Sequence, residues 1–330
     1  MSPLLQVRDL EVTVGRAGRA VSGVDLSIEA GQVMGLVGES GCGKTLTAYS
    51  VLGLLPDGVS ATGVVRFDGE DHDLSVAGSM RRLRGGSIAM VAQDPLTALN
   101  PVVRVGTQID DVMRAHLDLT SAQRSQRVLD LLDRVGIPSP RRVARAYPFE
   151  LSGGMRQRAL IAMAISCRPR LLIADEPTTA LDTTIQAQIM ELLADLVADE
   201  DLTMLLITHD LGLVAQYCDR VSVMYAGRIV EHGAAQVVLE TPRHPYSRAL
   251  LDCLLSLESG AARLSTIDGV VPPVGSDPAG CRFADRCRFS EASCRETDPQ
   301  LRPSPDGHLA ACLRIDELDR IIAQESGARR

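Results

Sequence analysis

Three short runs of apolar residues are typical of strands buried in a parallel β-sheet. They are Gln32–Val37, Leu171–Ala174 and Thr203–Thr208. Parallel strands are covered on both faces, so they are apolar almost throughout rather than at alternate positions. Each run is followed at once by glycine or by an ionisable residue. This pattern predicts an α/β sheet whose polar groups collect at the carboxyl ends of its strands, where such sheets bind ligands.

Two stretches have the composition and spacing of helices. Leu46–Leu55 follows the first strand and stops at the turn Pro56–Gly58. Thr120–Val135 has an apolar stripe at helical spacing and ends before Gly136. Glycine and proline are the usual residues at which helices stop. Both stretches are therefore predicted to be helices, the second of them amphipathic.

The patterns divide the chain into a domain over residues 1–235 and an extension over residues 236–330. Within the domain, residues 94–170 are predicted to form an inserted helical subdomain. The α/β core is expected to carry an antiparallel edge on its parallel sheet, formed by Leu4–Val14, Val24–Glu29 and Gly63–Phe67. The extension is rich in proline and glycine and has little helical periodicity, so it is predicted to consist mostly of loops.

Composition narrows the class of protein. The 330 residues are 45% hydrophobic and 23% charged, which is ordinary for a globular protein. The 34 basic and 42 acidic residues give a formal net charge of −8, which argues against a nucleic-acid partner. No apolar run approaches the roughly 18 residues of a membrane span, and no secretory signal precedes the first strand. The chain is therefore expected to be soluble and cytoplasmic.

One of the 34 basic residues is lysine, Lys44, and the others are arginine. Arginine can replace lysine wherever only surface charge matters, but it fails where a compact ammonium group is needed. Lys44 lies in Gly38–Thr45, a full match to G-x-x-x-x-G-K-[ST] between a strand and a helix. At ordinary composition the pattern arises by chance in about one such chain in a hundred.

The motif predicts a binding site for a nucleotide triphosphate. Its glycines let backbone N–H groups surround phosphate oxygens, and the helix N-terminus adds a positive dipole end. Lys44 is expected to reach the β- and γ-phosphates, and the Thr45 hydroxyl to bind Mg²⁺. The residues expected to contact the nucleotide are Gly38, Glu39, Ser40, Gly41, Cys42, Gly43, Lys44 and Thr45.

Ionisable residues at the ends of the other two strands suit the same chemistry. Asp175 is predicted to act in the shell of Mg²⁺, and Glu176 to polarise the attacking water or accept its proton. His209, directly after the third strand, is a plausible contact for the γ-phosphate. An Asp-Glu pair after a strand is common in other settings, so this interpretation depends on the phosphate-binding motif.

A second anion cradle lies in Leu151–Arg158, where Ser152 can cap a helix and Gly153-Gly154 leave its N-terminus open. Here the chain resembles the ATP-binding subunits of ABC transporters, whose signature motif reads LSGGQ. Gly38–Thr45 then resembles Walker A and Leu171–Glu176 Walker B. Gln93 matches the Q-loop of that family and His209 its switch histidine, and Ala180–Asp182 matches the D-loop. The resemblance covers residues 1 to about 255.

The chain is more specifically similar to the D-type ATPase of dipeptide and oligopeptide importers. The stretches that carry this resemblance are Gln93–Pro101, Asp175–Asp182, Ile185–Ile189, Val223–Gly227 and Pro242–Tyr246. It implies the ABC-type P-loop ATPase fold and an ATPase that powers import of dipeptides and oligopeptides. Nickel chelates or another small solute remain alternative cargoes.

Two other classes of protein are weighed against this interpretation. ABC ATPases of translation or DNA repair carry tandem ATPase domains or long coiled coils, and this chain has neither. A P-loop kinase or switch protein would have no use for Leu151–Gly154.

The resemblance also implies partners. ATPase subunits of the family pair head to tail, so Ser152, Gly153 and Gly154 are expected to act on ATP held by a second subunit, a homologous F-type chain. Gln93 is expected to contact Mg²⁺ and the attacking water, and Asp182 to lie at the subunit interface beside the nucleotide. Two transmembrane permease subunits and an extracytoplasmic substrate-binding protein complete the importer. The chain would thus lie on the cytoplasmic face of the membrane.

Besides Cys42, which replaces a common serine of Walker A, two positions depart from the usual family pattern. Val14 occupies the place where relatives carry an aromatic residue that stacks on adenine, and Arg16 or Arg19 could stack there instead. Met155 replaces the usual glutamine of the signature, but a side-chain change removes no backbone N–H group. Neither departure removes a phosphate ligand.

Four of the eight cysteines cluster in the extension with the spacing C-x5-C-x6-C-x17-C. They are Cys281, Cys287, Cys294 and Cys312. Disulfides are rare in the cytoplasm, and zinc sites usually have closer cysteine pairs. A [4Fe–4S] cluster also takes four thiolates, and it is favoured here, with zinc and four unrelated thiols as alternatives. Some D-type ATPases resemble iron–sulfur proteins in this region. Four arginines interleaved with the first three cysteines would offset the charge of the thiolates: Arg282, Arg286, Arg288 and Arg295.

Overall fold

The structure is a computed structural model that describes residues 2–179, 181–258, 266–304 and 307–318, without the side chains of residues 200 and 254–258. Ala180, in the D-loop stretch, lies outside these ranges. The chain divides into two compact units. Unit 1 comprises Met1–Leu4, Ile28–Val33 and Gly78–Ile207, and unit 2 comprises Leu5–Ser27, Met34–Ala77 and Thr208–Arg330.

Unit 1 contains three parallel strands and most of the long helices. Strand β7 (Leu171–Asp175) pairs in parallel with β6 (Ile88–Val91) on one side and β8 (Thr203–Thr208) on the other. Every residue of β7 and β8 is buried, as their continuous apolar sequences predict. The helices of this unit are α2 (Pro95–Ala98), α3 (Val105–His116), α4 (Ser121–Arg134), α5 (Pro140–Val143), α6 (Gly153–Ile165) and α7 (Thr183–Glu200), with a 3-10 turn at Pro148–Glu150.

Unit 2 contains two groups of paired strands. In the first, β3 (Val33–Val37) pairs in parallel with β9 (Arg220–Tyr225), which continues antiparallel into β10 (Arg228–Ala234). The second is an antiparallel sheet in the order β2-β1-β4-β5. Its strands are β1 (Leu5–Val14), β2 (Gly18–Ile28), β4 (Val59–Phe67) and β5 (Glu70–Asp73). The helices of the unit are α1 (Lys44–Leu52), α8 (Leu211–Tyr217), α9 (Ala235–Glu240), α10 (Pro245–Glu258) and α11 (Ala292–Glu296).

The fold class predicted from the sequence is confirmed, with one change in detail. The antiparallel strands near the N-terminus, expected at the edge of the parallel sheet, form a sheet of their own. Buried and less buried residues alternate along much of β1, as expected for an antiparallel strand with one covered face. The antiparallel edge consists instead of β10 and two short strands of the C-terminal region, β11 (Arg302–Pro303) and β12 (Leu309–Ala310).

The C-terminal region shares the hydrophobic core of unit 2. Phe283 is buried in one cluster with Tyr225 of β9 and Tyr246 of α10. Glu231 of β10, fully buried, accepts a hydrogen bond from the backbone N–H of His244 and pairs with His308 at 2.7 Å. These contacts connect β10 to segments more than ten and more than seventy residues further along the chain.

Among the helices that lie wholly in the described part of the chain, none combines the length and the apolar character needed to cross a bilayer.

Candidate functional site

The loop Gly38–Thr45 lies in unit 2 between β3 and α1. Gly43 precedes the helix with a φ of 109°, and a Cβ there would lie 2.8 Å from the Met224 side chain. Glycine adopts this positive φ without strain, whereas a residue with a side chain rarely does. Helix α1 therefore begins at Lys44, two residues earlier than the apolar pattern predicts, and ends at Leu52, where Gly53 adopts a φ of 62°.

The Lys44 ammonium group is held inside this loop. Lys44 is 5% exposed, and its Nζ donates hydrogen bonds to the carbonyl oxygens of Gly38, at 2.8 Å, and Glu39, at 3.1 Å. Cys42 is fully buried beside it. Burial raises the pKa of the Cys42 thiol, with Lys44 opposing this effect. The thiol is therefore neutral at pH 7 and fills the loop as a small apolar group.

The carboxylates predicted for catalysis follow β7 in unit 1. Asp175 ends the strand and is 1% exposed. Glu176 has a φ of 45°, a conformation that is costly for a residue with a side chain and is often found at functional sites. Its Oε2 accepts hydrogen bonds from Gln93 Nε2 at 3.2 Å and Thr179 Oγ1 at 2.9 Å. Gln93 and Glu176, both predicted from the sequence, are thus in contact. Thr179 also contacts Glu176, and the sequence did not predict this.

Helix α6 begins at the signature stretch, also in unit 1. The Ser152 hydroxyl accepts a hydrogen bond from the Met155 N–H at 3.4 Å, as the predicted cap requires. A Cβ on Gly154 would lie 2.8 Å from the Ile185 side chain, so this glycine also lets α6 approach α7. Asp182 caps α7 and accepts a hydrogen bond from the Ile185 N–H at 3.0 Å.

The predicted residues are thus distributed over both units. Unit 1 carries Gln93, Ser152, Gly153, Gly154, Asp175, Glu176 and Asp182, and unit 2 carries Gly38 to Thr45 and His209. His209 is exposed, directly after the last residue of β8.

Glu39, the second residue of the loop, contacts the C-terminal region of unit 2. The Arg286 guanidinium forms two hydrogen bonds with its carboxylate, at 2.6 and 3.0 Å. The Glu39 N–H donates to the Tyr246 hydroxyl at 2.8 Å. No periodicity or spacing in the sequence indicates either contact, because the partners are more than two hundred residues apart.

The four clustered cysteines line one cavity of about 20 Å³. The N–H of Cys281 donates to the carbonyl oxygen of Cys294 at 2.8 Å, which ties two of them together. Burial raises the pKa of the Cys281 and Cys312 thiols to about 11. In the described parts of the chain, no three or more His, Cys, Asp or Glu side chains are arranged to hold a metal ion. The four thiols suit a cluster in number and chemistry, but the cavity has room for about one water molecule.

The arginines between these cysteines mostly serve other partners. Arg282 donates to the Ala226 carbonyl oxygen and Arg286 to Glu39, while Arg295 pairs with Asp285. That the arginines offset thiolate charge stays a prediction, with these three side chains also bound to other groups. Burial raises the pKa of the Cys287 thiol, and the positive charges of Arg314 and Arg288 oppose this rise.

Comparisons with known proteins show the family of the chain. A family model described as "ABC transporter" matches residues 21–179, and one described as "Oligopeptide/dipeptide transporter, C-terminal region" matches residues 230–294. The chain is 47% identical to the "Probable peptide ABC transporter ATP-binding protein" of Sinorhizobium fredii over 321 residues, 96% of each chain. It is 46% identical to the "Dipeptide transport ATP-binding protein DppD" of Haemophilus influenzae over 303 residues, 90% of this chain and 92% of that protein.

Solved structures give the same fold. The chain is similar to cbiO1 from Clostridium perfringens, part of the ABC transporter complex cbiONQ, with a TM-score of 0.60. The two are 29% identical, and the match covers 74% of this chain and 97% of that one.

Proposed function

Because the chain belongs to the family of ATP-binding proteins of peptide ABC transporters, we propose that it hydrolyses ATP to power the import of dipeptides and oligopeptides. The observation that carries this proposal is the match of residues 230–294 to the C-terminal region of oligopeptide and dipeptide transporters. This region lies outside the match to the ABC transporter family model itself.

We propose the following roles at the ATP site. Lys44 and the backbone N–H groups of its loop bind the phosphates. Thr45, Gln93 and Asp175 would hold Mg²⁺, which would shield the charge of the phosphates. Glu176 accepts a proton of the attacking water as the water oxygen forms a bond to the γ-phosphorus and the bond from the γ-phosphorus to the leaving oxygen of ADP breaks. His209 contacts the γ-phosphate. The hydrogen bond from Gln93 to Glu176 supports this assignment.

We further propose that each ATP site is completed by residues of a partner subunit. Ser152, Gly153 and Gly154 would bind the γ-phosphate of ATP held by a homologous F-type ATPase, with Asp182 beside it. The capped, glycine-flanked start of α6 supports this, because helix N-termini favour anions. We place the chain on the cytoplasmic face of the membrane, bound to two permease subunits that receive peptides from a substrate-binding protein. Residues 1–235 form the ATPase domain of this proposal, and residues 236–330 its extension.

The proposal is tested by reconstituting the chain with its second ATPase, its permease subunits and its binding protein in liposomes. ATP hydrolysis is expected to rise several-fold when the binding protein carries a dipeptide or an oligopeptide, because closure of the ATPase pair is coupled to the transported state. The purified chain alone should hydrolyse ATP slowly. A nickel chelate serves as the alternative cargo. A rate of ATP hydrolysis that is the same with and without the permease subunits and the peptide would contradict the proposal.

We propose that Cys281, Cys287, Cys294 and Cys312 bind a [4Fe–4S] cluster, with zinc as the alternative metal. Four thiols around one cavity support the proposal. Its role would be structural or redox-sensing. When bound, such a group would tie α11 and the loops around it together through four sulfur ligands.

Metal analysis of protein purified without oxygen tests this assignment. We expect about four irons and four sulfides per chain, lost in Cys287→Ser and retained in Cys253→Ser, which changes a cysteine outside the cavity. Zinc in place of iron and sulfide would make the extension a zinc module. Absence of both metals would leave four unconnected thiols and contradict the proposal.

A further inference from the structure

A bidentate ion pair of unit 2 connects the cysteine-containing region to the phosphate-binding loop. Arg286 donates to both carboxylate oxygens of Glu39, at 2.6 and 3.0 Å. The Arg286 side chain is 5% exposed and the Glu39 side chain 29% exposed. A bidentate pair shielded from water is much stronger than a surface ion pair. It therefore fixes the position of the Glu39 carboxylate.

The guanidinium group is itself held in place from several sides. Arg286 donates to the backbone carbonyl oxygens of Asp268, at 2.9 Å, and Ile267, at 3.3 Å. Its carbon lies 5.7 Å from the centre of the Tyr225 ring and 5.9 Å from that of Phe283. Arg286 is thus held in position by groups other than Glu39.

The backbone of Glu39 is fixed by the same region. Its N–H donates to the hydroxyl of Tyr246 at 2.8 Å, and Tyr246 is fully buried against Tyr225 and Phe283. Both the main chain and the side chain at the second position of the loop are therefore set by residues of the C-terminal region.

Glu39 carries a negative charge in a loop proposed to bind a triphosphate. The carbonyl oxygen of Glu39 already accepts a hydrogen bond from Lys44 at 3.1 Å, so the two residues are close. A carboxylate free to rotate would compete with phosphate oxygens for the Lys44 ammonium group and would repel them. A positive group that binds this carboxylate prevents both effects.

From these contacts we propose that Arg286 is a positioning residue of the ATP site, which holds the Glu39 carboxylate away from Lys44 and keeps the loop ready for phosphate. The proposal rests on the ATP-binding function proposed above. It makes the C-terminal region a part of the nucleotide site rather than a separate appendage. Arg286 acts through Glu39 and contacts no reacting atom.

Nucleotide binding to the purified full chain tests the proposal. Arg286→Gln is expected to weaken ATP affinity about tenfold, since truncating one partner of a shielded charge pair has effects of at least this size. KM for ATP should rise by a similar factor, with kcat changed by less than about twofold, because the affected step is binding. Adding Glu39→Gln to this variant should restore affinity to within about threefold of wild type, because the competing charge is gone.

Rescue by Glu39→Gln separates positioning from mere folding, because a structural defect would persist in the double variant. Arg295→Gln is the matched control; it removes an arginine of the same region whose pair with Asp285 is exposed, and it should leave ATP affinity unchanged. If Arg286→Gln does not fold, Arg286→Lys replaces it in the comparison of single and double variants. ATP affinity is then expected to fall about threefold, because lysine cannot form the bidentate pair.

The outcomes distinguish the two proposals. A wild-type chain that binds no ATP would overturn the proposed function itself. A wild-type chain that binds ATP, with Arg286→Gln binding equally tightly, would overturn only the role of Arg286. If Arg286→Gln and the double variant bind ATP equally weakly, the role of Arg286 is also overturned, since the loss of affinity would then not depend on the Glu39 charge.

Discussion

The Glu176→Gln variant is expected to bind ATP as tightly as the wild type and to hydrolyse it at least about a hundredfold more slowly, the usual effect of losing a general base. An amide of the same size keeps the hydrogen-bonding shape but cannot accept a proton from water. The structure gives the carboxylate a defined position for this task. Its Oε2 accepts hydrogen bonds from Gln93 and Thr179, and the residue has a φ of 45°.

Single-turnover hydrolysis of radiolabelled ATP, measured beside equilibrium binding, separates the two steps. The variant should also accumulate as an ATP-dependent dimer, because ATP holds the proposed pair together until it is cleaved. Glu191→Gln is the matched control, since it removes an exposed carboxylate from α7 of the same unit. Wild-type hydrolysis by Glu176→Gln would remove Glu176 from its proposed role and leave the general base to another group.

The Lys44→Arg variant is expected to lose most of its ATP affinity although its charge is unchanged. Lys44 is 5% exposed, with its ammonium group within 3.1 Å of two loop carbonyl oxygens. The larger planar guanidinium cannot occupy this position without displacing the loop. Loss of one charge-assisted hydrogen bond costs about 2 kcal/mol, which corresponds to about a thirtyfold rise in Kd.

Isothermal titration with a slowly hydrolysed ATP analogue and Mg²⁺ measures this change. Arg81→Lys provides the reciprocal exchange at an exposed position of the chain, and it should leave Kd unchanged. Wild-type affinity in Lys44→Arg would refute the argument that the single lysine is retained for its compact shape.

Local sequence was sufficient wherever a short segment sets its own geometry. Helix α4 was predicted within one residue at each end, because the Thr120 cap and Gly136 act over a few neighbouring positions. Strand β8 was predicted with its observed bounds. Helix α1 differed because Gly43 and Gly53 set its ends through positive φ values, which the apolar pattern does not report.

Partners of side chains were harder to predict than elements. The spacing of the cysteines suggested that neighbouring arginines would balance their charge, yet Arg286 is bound to Glu39, 247 positions away. The chemistry of a guanidinium permits either partner, and only the packing of Phe283 with Tyr225 and Tyr246 decides between them. A search for a preserved Glu-Arg pair between the loop and the extension could have found it, but one sequence carries no such signal.

The sequence by itself determined the positions of the glycine-rich loop Gly38–Thr45, the carboxylates after β7 and the capped start of α6, because each depends on residues adjacent in the chain. The tertiary structure alone decided that the N-terminal antiparallel strands form their own sheet, that β12 extends β10, and that the C-terminal region holds Glu39. The physical reason is the same in all three cases. Contacts between distant segments depend on which buried surfaces fit together, and that fit is a property of the folded core.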